Sequence, residues 1–367
     1  MSLLSIDVGT AHISVVEGTA HKNAVEIAQA IVVEMPKSGE SDVKSAAVGP
    51  SDVIRGLLLN FGFKTKKAVV TVNINNMLIR DFTVPDAPPK QLAGMVRNEM
   101  VQNYSAAAID VINFIKRPFT ATDFEDRRAD SGSSDESDAK GDKKSPRESF
   151  TGIRAVTVKR DVIDTYHRML KSLKLVPVAM DFHANAVEKL ISGGVSVNNT
   201  SLGGKNYLLV DFGSTGTIIH AVADNRVFFS RYIPLGTSDL DNIVAEREFT
   251  GIDQAKEFRL NKLNLLDEED KFNASMQAAR TLLYQWSDEI QKIMKFFLAR
   301  RNIKSIDQIF LYGAGSLIKG LPDYVSASIG VETSTVKSIS SVSFKNSADA
   351  EKLYNCVNAA GAVIRLK

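Results

Sequence analysis

Residues with the means to do chemistry gather at three turns. Asp7-Val8-Gly9-Thr10 and Asp211-Phe212-Gly213-Ser214-Thr215-Gly216-Thr217 share the order carboxylate, apolar residue, glycine, hydroxyl, and each lies between two predicted strands. Gly313-Ala314-Gly315-Ser316 follows a third predicted strand. Turns of this kind present several backbone N–H groups at one end of a sheet. Such a nest binds phosphate oxygens, and glycine lets the backbone approach them closely. The strand-end carboxylates of Asp7 and Asp211 suit a hydrated magnesium ion, which keeps several waters and needs one or two carboxylates. One Asp-x-Gly alone reads as an ordinary hairpin turn. Two of them, with a glycine-rich turn after a third strand, are what a nucleotide lying in a cleft between duplicated halves would use.

Other chemistries find little support. The five histidines, His12, His21, His167, His183 and His220, show no helical pairing suited to zinc, and a single cysteine makes no thiolate cluster. There is no Gly-x-Ser-x-Gly elbow for a serine nucleophile. Cys356 sits in an apolar C-terminal segment and is expected to pack. With no partner for a disulfide, it also fits a reducing compartment.

The elements that must hold the three turns read as a mixture of β-branched runs and helical periods, an α/β fold. Strands are predicted over 3–7, 13–17, 68–73, 77–83, 111–116, 153–158, 207–211, 217–222, 226–233 and 308–312, and helices over 51–61, 90–102, 160–173 and 278–301. In the last helix Leu282, Leu283, Trp286, Ile290, Ile293, Met294 and Phe297 recur at helical spacing as one apolar face, expected to pack in the core. Between Thr122 and Ser149 charged and hydroxyl residues dominate, too polar to offset ordering entropy by burial, so this stretch is expected to be a solvated insertion. The 367 residues carry a formal net charge of +2 with the signs interspersed, which gives no basic footprint for nucleic acid. No signal peptide, membrane-spanning run or terminal amphipathic anchor is evident, so membrane association is expected only through a partner.

The three turns resemble the phosphate 1, phosphate 2 and adenosine motifs of the actin-like ATPase superfamily. Within it the chain resembles the PilM family of type IV pilus assembly, relatives of the cell-division protein FtsA. The residues behind the closer likeness are Ile6 to Thr10, Val84-Pro85 before a helix containing Glu99, Asp181 after Pro177, Phe229 to Gly236, and Ala359-Ala360-Gly361-Ala362.

The resemblance implies an actin-like fold of two duplicated domains around a nucleotide cleft, with an extra small domain inserted. On this chain it assigns 1–81 and 159–200 to the first domain, 82–158 to the insertion with its charged loop at 122–149, 201–350 to the second domain, and 351–367 to a helix returning to the first. It implies ATP and Mg2+ as cofactors, held by Asp7, Gly9, Thr10, Asp211, Gly213, Ser214, Thr215, Thr217, Arg259, Gly313, Ala314, Gly315 and Ser316, with the metal on Asp7 and Asp211. It implies a cytoplasmic scaffold at the inner face of the membrane, whose partner is the N-terminal cytoplasmic peptide of a PilN-like inner-membrane protein, with pilus assembly ATPases as further partners.

Three positions depart from the family pattern. Ser14 stands where a phosphate-contacting lysine is usual, Lys256 reverses a carboxylate expected to receive a ribose or base hydroxyl, and Gly313-Ala314 replaces a glycine pair. Losing a cation beside a polyphosphate removes a charge-assisted contact worth about 1.5–3 kcal/mol. With no general base in view, the expectation is nucleotide binding with at most slow hydrolysis. The alternatives are a small-molecule kinase of the same superfamily, for which no aspartate base motif is visible, and an FtsA-like filament former, for which the terminal amphipathic helix is missing.

Overall fold

Why the chain begins as a sheet is plain from its first strands, where Leu4, Ile6, Ile13, Val15 and Val16 are shut off from solvent and β-branched residues dominate. A computed structural model of the protein describes residues 2–35, 49–104, 110–117, 149–266, 274–301 and 303–365. The charged stretch at 122–149 lies, but for its last residue, outside them. In chain order the elements are β1 (Ser2–Val8), β2 (His12–His21), β3 (Ala24–Glu34), α1 (Pro50–Asn60), β4 (Lys67–Val72), β5 (Met77–Pro85), α2 (Pro89–Asn103), β6 (Val111–Arg117), β7 (Phe150–Val158) and α3 (Arg160–Ser172). There follow β8 (Val176–Phe182), α4 (His183–Ile191), the short β9 (Ser196–Val197) and β10 (Thr200–Ser201), β11 (Tyr207–Phe212), β12 (Thr217–Ala223), β13 (Arg226–Ile233), α5 (Thr237–Arg247) and α6 (Ile252–Asn261). The chain ends with α7 (Ala274–Arg301), β14 (Gln308–Tyr312), α8 (Leu321–Ile329), β15 (Thr333–Thr335), β16 (Val342–Phe344), α9 (Ser347–Ala350) and α10 (Leu353–Val363).

These elements form two compact units, residues 1–74 with 167–367 and residues 75–166. The larger holds two sheets of matching plan. One runs β16-β3-β2-β1-β4-β8 and the other β13-β12-β11-β14-β15. In each, an antiparallel meander of three strands is extended by parallel strands on the side of its first member: β1 pairs in parallel with β4, and β11 with β14. The duplication seen in the two Asp-x-Gly turns is therefore repeated in strand pairing. Asp7 stands opposite Thr71, and Asp211 opposite Tyr312, at the carboxyl ends of equivalent strands.

Two helices brace this arrangement. On α7, Leu282, Leu283, Trp286, Ile290 and Phe297 are buried in one core with Val210 and Phe212 of β11, and the Trp286 ring meets Phe212 edge-on with centroids 5.0 Å apart. The apolar stripe is core, as expected, and it backs the residue next to Asp211. On α10 the run from Cys356 to Val363 is buried all round, which small residues permit and which marks an internal helix. A Cβ on Gly361 would lie 2.1 Å from the Ala186 carbonyl oxygen, so glycine is what lets α10 touch α4.

The smaller unit is an antiparallel sheet in the order β5-β7-β6 with α2 on it, its core made by Val84, Leu92, Val96, Met100, Ile153 and Ala155. Arg154, almost fully buried, reaches Asp81 through both Nε and Nη2 at 2.7 Å. The boundary expected at 81/82 falls inside β5, because that strand pairs along its whole length with β7.

Candidate functional site

The turn after β1 is closed by the Gly9 amide, which donates to the His12 carbonyl at 2.9 Å. The turn after β11 is closed in the same way, Gly213 to Gly216 at 3.1 Å. Side-chain-bearing residues would not fit either turn, since a Cβ on Gly9 or Gly213 would meet the partner carbonyl at 2.8 or 2.7 Å. The amides of Thr10, Ala11, Ser214 and Thr215 have no hydrogen-bond partner among the described residues, which leaves donors for an anion. The two turns also meet: the Thr10 and Thr215 hydroxyls are 3.1 Å apart.

Between the two strand ends lies a residue that the sequence reading passed over. His183, the first residue of α4, donates from Nε2 to Asp7 Oδ1 at 3.0 Å, and its Nδ1 lies 3.8 Å from Asp211 Oδ2. Asp211 also accepts from Asn358 Nδ2 of α10 at 2.9 Å. From there a chain of bonds runs inward, Tyr312 donating to Asn358 at 3.3 Å, His220 to Tyr312 at 3.2 Å, and Ser230 to His220 at 2.7 Å. Burial by itself would push the His183 pKa down, but the Asp7 carboxylate beside it, with Asp211 and Asp181 further off, brings it above the ordinary histidine value. Burial drives the Asp211 carboxyl up to about 6, against the opposing pull of His183 and the Asn358 hydrogen bond.

The sequence contained a hint of His183. It lies two residues after Asp181, where the parallel strand β8 hands over to a helix, and ligands of open α/β sheets gather outside the carboxyl ends of such strands. What fixes its position is equally local. Lys189, one turn and a half along α4, is buried against Asp181 at 2.6 Å and donates to the Ile364 carbonyl at 2.6 Å, while Asn185 donates to the same aspartate at 2.8 Å.

Several expected ligand contacts are used within the protein instead. Thr217 Oγ1 donates to the Leu235 carbonyl at 2.8 Å, and Ser316 Oγ donates to Gly313 O at 2.7 Å, both from buried positions. Ser214 Oγ bonds Ser238 Oγ at 2.6 Å. Arg259 is corrected most sharply: it is buried on α6 and grips Asp241 of α5 through Nε at 2.7 Å and Nη2 at 3.1 Å. A guanidinium in a two-pronged buried ion pair is committed to that carboxylate. Ser14 donates to the Asn355 carbonyl at 2.7 Å, fastening β2 to α10, and Lys256 pairs with Glu34 at the end of β3.

Gly313, Ala314 and Gly315 do lie beside the Asp211 turn. Gly313 has φ +82°, and a Cβ there would come within 2.4 Å of Asp211 Oδ1. Its amide donates to the Tyr354 carbonyl of α10 at 2.8 Å. A Cβ on Gly315 would meet Phe212 at 2.7 Å, whereas Ala314 is half-buried at the turn's surface.

The magnesium expectation does not fit these residues. Both aspartates face the same imidazole, and Asp211 is further engaged by Asn358. The oxygens so taken, Asp7 Oδ1 and Asp211 Oδ2, are those that face the imidazole, and an ion placed between the two carboxylates would have to displace the ring.

Comparison with known proteins gives the family. The sequence profile described as type IV pilus assembly protein PilM matches residues 143–361. No curated protein matches the chain by sequence. Among solved structures, that of a PilM-PilN type IV pilus biogenesis complex is similar over 99% of this chain and 98% of that one, with a TM-score of 0.73 at 16% identity. The ethanolamine utilization protein EutJ from Carboxydothermus hydrogenoformans aligns over 99% of this chain and 89% of its own at TM-score 0.53 and 13% identity. The fold is the actin-like α/β fold that the three turns and the doubled sheet plan imply.

Proposed function

The chain belongs to the PilM family of type IV pilus assembly proteins, and from that premise we propose that it is an assembly scaffold that captures the cytoplasmic N-terminal peptide of a PilN-like membrane protein and takes an adenine nucleotide against its paired turns. The observation that carries the first part is the likeness along nearly the whole chain to the protein of the PilM-PilN complex. No helix among the described residues is long and apolar enough to cross a membrane. In this reading its attachment to a membrane runs through the PilN-like partner. The 75–166 unit is the inserted small domain of this scaffold.

For the nucleotide, the supporting features are the amides of Thr10, Ala11, Ser214 and Thr215 and the close glycine turn at Gly313 to Gly315. Phosphate oxygens would be received by those backbone donors, the hydroxyls of Thr10 and Thr215 standing beside them. The base would lie along the Gly313 turn. The side chains of Arg259 and Ser14 are bonded to Asp241 and to the Asn355 carbonyl. Such a site binds without being built for rapid hydrolysis, since positioned charge does most of the work in phosphoryl transfer.

The test is a pull-down with the N-terminal peptide of a co-encoded PilN-like protein, with and without ATP, alongside calorimetric titration of ATP. Capture of the peptide in either condition is expected. No capture in both, from protein shown to be folded by circular dichroism, refutes the scaffold reading, and absence of binding heat refutes the nucleotide reading.

A further inference from the structure

We infer that the His183 side chain occupies the place between Asp7 and Asp211 that a divalent cation would need, so that this cleft binds its nucleotide without a metal ion on those carboxylates. The geometry is that of an internal bridge. Nε2 is 3.0 Å from Asp7 and Nδ1 3.8 Å from Asp211, and all three side chains are about nine-tenths buried. A contact of 3.8 Å is too short to admit a water between the two atoms and too long for a hydrogen bond, so Nδ1 faces Asp211 as a charge partner only. Among the described residues Nδ1 has no hydrogen-bond partner. The ring thus fills the space between the two strand ends with one nitrogen turned toward each carboxylate.

The ring is also held there. It starts α4, whose next turns are fastened by the buried Lys189 to Asp181 and to the Ile364 carbonyl, and α10 closes the other side through Asn358. The imidazole therefore has a fixed anchor, and moving it aside to admit an ion breaks the bond to Asp7 in a buried site. Beside it Ser14 donates to α10 and Lys256 pairs with Glu34, so neither side chain competes with the imidazole for Asp7 or Asp211. The inference rests on the proposed nucleotide site for its second arm alone.

The first arm measures Mn2+ uptake by nucleotide-free protein from the loss of the free-ion resonance in electron paramagnetic resonance. Wild type is expected to leave the signal intact, and His183→Ala to bind Mn2+ in a manner abolished by adding Asp7→Asn. His183→Ser, too short to reach Asp7 and so leaving the space between the carboxylates open, takes the same role if the alanine variant does not fold. The second arm compares ATP affinity in Mg2+ and in EDTA: within about twofold of each other for wild type, and at least about tenfold tighter with Mg2+ for the variant. Mn2+ binding by wild type that Asp7→Asn removes, or a His183 variant that gains none, overturns the inference. ATP binding absent under every condition refutes the nucleotide reading, and the Mn2+ arm then decides this one.

Discussion

Replacing Arg259 separates two roles that its position in the sequence leaves tangled. As an adenosine contact, its loss would weaken nucleotide binding and little else. As the structure has it, the guanidinium joins α5 to α6 by two charge-assisted bonds, Nε to Asp241 Oδ1 at 2.7 Å and Nη2 to Oδ2 at 3.1 Å, with both side chains more than nine-tenths buried. Each such bond contributes about 1.5–3 kcal/mol. Breaking a buried pair by removing one partner costs about 3–5 kcal/mol, because the remaining charge is stranded in a poor dielectric. Arg259→Met is thus expected to lower the urea unfolding free energy by about 4 kcal/mol. Replacing both partners, Arg259→Met with Asp241→Leu, removes the stranded charge and should recover most of that loss, to within about 1.5 kcal/mol of wild type. The double-mutant cycle would then give a coupling of at least about 2 kcal/mol. A single variant that unfolds within about 1 kcal/mol of wild type while its ATP affinity falls tenfold would refute the argument and restore the guanidinium to the ligand.

Three further outcomes follow from particular contacts. Gly313→Ala should lose about 2–5 kcal/mol in thermal or urea unfolding, about 1–2 from the left-handed backbone and about 1–3 from forcing a methyl to 2.4 Å from Asp211; an unchanged melting curve would show that this turn can relax. Lys189→Met leaves Asp181 buried without its closest cation and is expected to cost about 3–5 kcal/mol, which equilibrium unfolding at neutral pH would read directly. Burial pushes the Cys356 thiol up to about 12, so native protein should not react with a thiol-disulfide reagent at pH 8, whereas protein in urea should react fully.

How much of this was legible depended on whether a segment declares itself locally. Strands β12, β13 and β14 were predicted to within a residue because their β-branched and aromatic runs are bounded by glycine, asparagine or a turn. The strand β3 was not predicted although five of the eleven residues from Ala24 to Glu34 are valine or isoleucine, because Ala28, Gln29 and Ala30 interrupt the run and pairing with β2 carries the strand through them. The helices α5, α6 and α8 were likewise unclaimed: polar and charged residues make up most of α5 and α6 and obscure any apolar period, and α8 has only nine residues. In the site, the turns were readable because the Asp-x-Gly pattern repeats, and glycine is required at Gly9 and Gly213 by the carbonyl that a Cβ would meet. His183, Asn358 and Tyr312 were not, because nothing local distinguishes a histidine aimed at a carboxylate 176 positions away from one on a surface.

The same distinction bears on what the cleft is for. Hydroxyls and cations that the family resemblance assigned to a ligand, those of Thr217, Ser316 and Arg259, are satisfied inside the protein, and so is Ser14, which stands where the family has a cation. Around the two turns the protein makes its own contacts: His183 on Asp7 and facing Asp211, Thr10 on Thr215, and Lys256 on Glu34. A ligand shifts a conformational equilibrium only by the difference in its affinity for the two states. Where the protein's own bonds already join the two turns, a nucleotide has less to add to the joined state than it would in a cleft that stands open without it. A scaffold wired in this way can hold the surface its partner needs before any nucleotide arrives, and peptide capture by wild type should accordingly change by less than about tenfold, a shift of about 1.4 kcal/mol, when ATP is supplied.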